Sequence, residues 1–118
     1  MARLVLALSG FLALILFLPS TSMGHAMELS CSMEGELVEC ESKYDTGHPV
    51  RDGHWRVLDA TSGEEILSGV MDAEGGFSFL IPRDAKERQA DLKVATDDGM
   101  GHRATWKLEA DYYLSEIE

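Results

Sequence analysis

Twenty-one acidic against ten basic side chains in 118 residues leave this chain eleven charges negative. That balance argues against both a nucleic-acid binder and adhesion to an anionic membrane surface, which need positive charge. The length allows one domain at most, and no HExxH pair, phosphate loop or nucleophile elbow suggests an enzyme.

The chain opens with Arg3 and an uncharged run, "LVLALSGFLALILFL", over residues 4–18. At fifteen residues it is short of the roughly 20 needed to span a bilayer. "PSTSMGHA" (19–26) then supplies the small residues of a cleavage site. We read residues 1–24 as a secretory signal peptide and 25–118 as the mature domain, which is expected to be periplasmic or secreted. An uncleaved N-terminal anchor is the less favoured reading. Cuts after Ser22, Gly24 or Ala26 all satisfy the small-residue rule. Removing 1–24 takes away only Arg3, so Lys+Arg falls from 10 to 9 against 21 acids and the net charge becomes −12.

Short alternating runs punctuated by turn residues follow, and no helical periodicity of useful length. Strands are predicted at 27–33, 36–44, 54–59, 65–71, 77–81, 91–96 and 102–110; 82–90 reads as a polar connection with room for one helical turn, and the acidic tail 111–118 as an extension of the last strand or a frayed end. Seven strands at about ten-residue spacing predict an all-β, immunoglobulin-like or prealbumin-like sandwich. A turn at Gly35-Glu36 sets Met33 against Val38 and Cys31 against Cys40. An exported protein meets oxidising conditions, so this register predicts a cross-strand disulfide. A zinc pair is the competitor, but no second cysteine pair completes it.

Strands that run alternately up and down bring the start of the first strand and the 45–53, 72–76 and 97–101 connections to one end. His25, His48, His54 and His102 all fall there. Each has a plain reading too: His102 as a core cap, His54 as a surface residue, His48 as loop. Together they are candidate metal ligands, with Met100 and Asp98 as further candidates, because neutral imidazole suits nickel, cobalt, copper and zinc. A cut after Gly24 makes His25 the N-terminal residue, so amine and imidazole chelate together. A cut after Ser22 makes it the third residue, which suits square-planar Ni²⁺ or Cu²⁺. A cut after Ala26 removes it.

The layout resembles the small extracytoplasmic accessory proteins of energy-coupling-factor type nickel/cobalt transporters. The matching pieces are "HAMEL" (25–29), "MEGELVE" (33–39), "TGHPVRDG" (46–53), "DAEGGFSF" (72–79) and, most specifically, "DGMGHRATWKL" (98–108). The resemblance implies a carboxypeptidase-regulatory-like β-sandwich that assists Ni²⁺ or Co²⁺ uptake through a membrane permease, and it points to His25 and His102. The two cysteines depart from that family pattern. So does the absence of a C-terminal membrane segment, which implies non-covalent attachment to the transporter. The alternatives are a metal-free β-sandwich interaction module and a copper-handling protein that uses its methionines.

Overall fold

The computed structural model describes residues 26–117. The signal-peptide reading, the outer limits of the domain and His25 therefore lie outside the described residues. Seven strands form: β1 (Met27–Glu34), β2 (Leu37–Tyr44), β3 (His54–Asp59), β4 (Glu65–Val70), β5 (Gly76–Leu80), β6 (Leu92–Asp97) and β7 (Arg103–Leu108). Helix α1 (Arg83–Glu87) joins β5 to β6, and α2 (Ala110–Ile117) ends the described chain.

The strands make two antiparallel sheets, β1-β2-β5 and β4-β3-β6-β7, the expected sandwich. In β1-β2 the register pairs Cys31 with Cys40 and Met33 with Val38, and Cys31 and Cys40 are joined as a disulfide. Period-two alternation holds in β1, β2, β6 and β7 and breaks at the β3–β4 bulge, where Val57, Leu58 and Asp59 are all buried. Val38, Val57, Leu92, Val94 and Leu108 are fully buried, and Phe79 and Ile81 nearly so. Each such aliphatic or aromatic side chain contributes about 1.5–3 kcal/mol of burial. Trp55 crosses between the sheets, stacking on Phe77 and Phe79 with centroids 5.0 and 5.7 Å away. β1 and β7, edge strands of different sheets, also pack together. β4 and β5, the opposite edges, are linked through the short turn at 71–75.

One segment departs from the sequence expectation. The last strand, predicted over 102–110, stops at Leu108, and the tail, expected to extend it or fray, instead belongs to α2, which starts at Ala110. Ala110, Tyr113, Leu114 and Ile117 recur at helical spacing and turn one face to the core. Tyr113 is fully buried, and its hydroxyl donates to the carbonyls of Ala90 (2.7 Å) and Ala85 (3.3 Å). The Asp91 carboxylate accepts the Ala110 N–H at 2.9 Å, satisfying a free donor at the helix start.

A small second cluster of Met27, Val50 and Met71 fills the end of the sandwich toward the β6–β7 turn. Two buried hydroxyls sit beside it. Ser42 donates to the Glu28 carbonyl (3.0 Å), and Thr96 donates to the Met27 sulfur (3.2 Å). Every buried side-chain N or O among the described residues has a partner.

Candidate metal centre

The β6–β7 turn is built around two aspartates. Asp97 is the last residue of β6 and pairs with Arg103, the first of β7. Its carboxylate accepts the Gly99 N–H (2.6 Å) and the Arg103 guanidinium (3.1 Å). Asp98 folds back over the loop, where Oδ1 accepts the N–H groups of Met100 (2.8 Å) and His102 (3.1 Å). Gly99 and Gly101 have φ of +78° and +96°, with nothing within 4 Å of where a Cβ would stand. They are there for the left-handed backbone rather than for space.

Asp98 Oδ2 faces the His102 ring, 2.6 Å from Nδ1. The Tyr44 hydroxyl, from the end of β2 in the other sheet, donates to the same oxygen at 2.7 Å. The Tyr44 ring meets the His102 ring edge-on at 5.4 Å. The Asp98 side chain is 1% exposed and that of His102 28%. Burial pushes the Asp98 carboxyl up, but the donors from Tyr44, Met100 and His102 outweigh it and hold it down at about 2. Tyr44 is pushed up, first because its hydroxyl donates to Asp98, then by burial and by the Asp98 charge.

Chemical roles follow from this geometry. An ionised carboxylate only accepts, and it has about four acceptor positions. Four donors fill them at Asp98, so Asp98 orients a ring rather than facing a metal. A neutral His102 beside it carries its proton on Nδ1, which leaves the Nε2 lone pair available. Nε2 has no hydrogen-bond partner among the described residues. A ring fixed through Nδ1 by a carboxylate is the usual arrangement of a metal-binding histidine.

His48 and His54 do share this end with His102, as the alternation of strands requires. Sharing an end does not bring them together. His48 is exposed in the β2–β3 loop with Nδ1 3.1 Å from the Thr46 hydroxyl. His54 begins β3 on the outer face of its sheet, opposite Val70 and Asp97. Met100 is 76% exposed and joins the site only through its backbone N–H. No group of three His, Cys, Asp or Glu side chains among the described residues is arranged to hold a metal ion.

Sequence reasoning missed the bond from Tyr44 to Asp98, which closes over 54 positions of sequence. It likewise had no signal for the four-fold saturation of Asp98. The start of β1 lies beside this site. Met27 pairs with Tyr44, and the Ala26 carbonyl accepts the Asp45 N–H at 2.8 Å. No helix among the described residues is long and apolar enough to cross a membrane. No family model matches the chain, and neither curated proteins nor solved structures give a match.

Proposed function

We propose that the chain is an extracytoplasmic accessory protein for nickel or cobalt uptake, which captures Ni²⁺ or Co²⁺ and hands it to a membrane permease without catalysis. The observation that supports this reading is the His102 ring. It is fixed through Nδ1 by Asp98, whose Oδ2 also accepts from Tyr44, with Nε2 unengaged among the described residues, beside the strand that follows His25. In this reading His102 supplies one imidazole. His25, with the N-terminal amine exposed by cleavage, supplies the remaining donors. A site with so few protein ligands leaves coordination positions open, which suits an ion meant to move on. The permease and the export route belong to the same proposal.

A second reading has its own observation. Asp98 and His102 bind Tyr44 across the two sheets, so the cluster also works as a pin holding a metal-free interaction module together. The copper reading has less support. Met27 and Met71 are buried, and the Met27 sulfur already accepts a hydrogen bond.

Calorimetry on the exported, processed protein separates these readings. The uptake reading expects micromolar binding of Ni²⁺ or Co²⁺, lost in His25→Ala and weakened about 10- to 100-fold in Asp98→Asn, the usual cost of removing a group that orients a ligand. Absence of binding in the intact protein, or binding indifferent to both His25→Ala and His102→Ala, sinks it. Retained Ni²⁺ binding with a cut after Ala26 would do the same.

A further inference from the structure

A groove of about 540 Å³ opens on the outer face of the four-stranded sheet, over β3 and β4. The strand register builds it. His54 stands opposite Val70, Arg56 opposite Ser68, and Leu58 opposite Glu65, with a bulge between Val57 and Leu58. Gly69 stands opposite Trp55, and a Cβ on it would meet the indole at 2.7 Å. Only glycine lets the ring lie that tight against β4, and both residues line the groove.

The groove holds two unspent charges of opposite sign. Arg56 and Glu65 are both exposed and both line it. Among the described residues, neither makes an ion pair or a side-chain hydrogen bond, with the other or with anything else. The third charged wall, Asp97, is already taken by Arg103 and the Gly99 N–H. Arg56 and Glu65 are offset by about two residues along neighbouring strands, roughly 7 Å. Side chains of this length can meet across such a diagonal, and both can equally turn to a small molecule seated in the groove between them. A direct Arg56–Glu65 pair at the surface would bring less than about 1 kcal/mol, so a ligand that satisfies both charges can displace it. Val70, 60% exposed, adds an apolar wall.

We infer that this groove binds a small zwitterion of the α-amino-acid class with an aliphatic side chain. Arg56 grips the carboxylate with paired N–H donors, Glu65 accepts hydrogen bonds from the ammonium, and the exposed Val70 covers the side chain. The volume falls in the usual range for small-molecule sites, but the groove is open, so binding is weak. The inference is independent of the metal reading, since neither His102 nor residue 25 takes part.

The test is an amide NMR titration of the processed protein with L-leucine. 4-Methylpentanoate, which lacks the amine, and 3-methylbutylamine, which lacks the carboxylate, serve as controls. Leucine is expected to shift Gly69, Val70 and the Arg56 Nε–H saturably, with a Kd near the millimolar level. Arg56→Gln should weaken it about tenfold. Glu65→Gln should weaken leucine and leave 4-methylpentanoate unchanged. Both positions are exposed, so an unaltered spectrum away from β3 and β4 shows that the variants fold. Shifts that do not saturate overturn the inference. So do a leucine titration indifferent to Arg56→Gln, and 4-methylpentanoate binding as tightly as leucine.

Discussion

Asp98 carries more of this structure than its place in a surface turn suggests. Its folded pKa of about 2 lies below the ordinary 3.8. A carboxyl depressed in the folded state stabilises that state above its unfolded pKa, and the stabilisation fades as pH falls from about 4 toward 2. Asp59 shares the behaviour. Its donors, first the Arg88 guanidinium and then the N–H groups of Ser62 and Thr61, also bring it to about 2. We therefore expect the urea midpoint of the wild type to drop steeply between about pH 4 and pH 2. In Asp98→Asn the drop should be shallower, and in Asp98→Asn with Asp59→Asn shallower again. Parallel curves for all three would show that these carboxylates are not the source. His102 was legible in the sequence, because two-residue alternation from Leu108 back through Trp106 and Ala104 fixes its direction. Its partners were not, because alternation says which way a side chain points and never what it meets on the other sheet.

At the level of elements, the first hairpin was the most readable part. Gly35 with φ +61° closes the turn, and a fixed turn fixes every pair behind it, including Cys31 with Cys40. The disulfide closes a short loop, for which chain-entropy arguments give about 2.6 kcal/mol. Replacing both cysteines by alanine should lower Tm by roughly 10 °C, read by circular dichroism. An unchanged Tm would mean that the hairpin is already held by its ladder. The last element was misread for a physical reason. α2 has eight residues, two of them adjacent tyrosines that favour strands, and its helical spacing covers barely two turns. What decides the conformation is the anchoring of Tyr113 under α1, a contact 23 to 28 residues away in sequence. Tyr113→Phe should cost about 1–2 kcal/mol, because the Ala90 carbonyl loses its donor. Denaturant titration with an unchanged slope is the check.

For the whole molecule, up-and-down connectivity was enough to send three described histidines to one end. It could not place them around that end. Strand order does that, and strand order arises from pairings between strands distant in sequence, such as β3 with β6. His54 thus starts a central strand on an outer face, while His102 looks inward toward Tyr44. Net charge likewise says nothing of how charge is sorted between the faces. The outer face of β1-β2-β5 shows Glu28, Glu34, Glu39 and Glu41 against Lys43, whereas that of β3, β6 and β7 shows Arg56, Lys93, Arg103 and Lys107 against Asp97.

The contact between β1 and β7 makes the sandwich a book bound along one margin, with β4 and β5 as its free edges. Thermal opening then has a preferred direction. Backbone amides of β4 and β5 should exchange with deuterated solvent through local excursions, while those of β2 and β6 wait for global unfolding. Tyr44 and Asp98 lie across the bound part of the book and Arg56 and Glu65 nearer its loose leaf, so anything that clasps the first pair need not still the second.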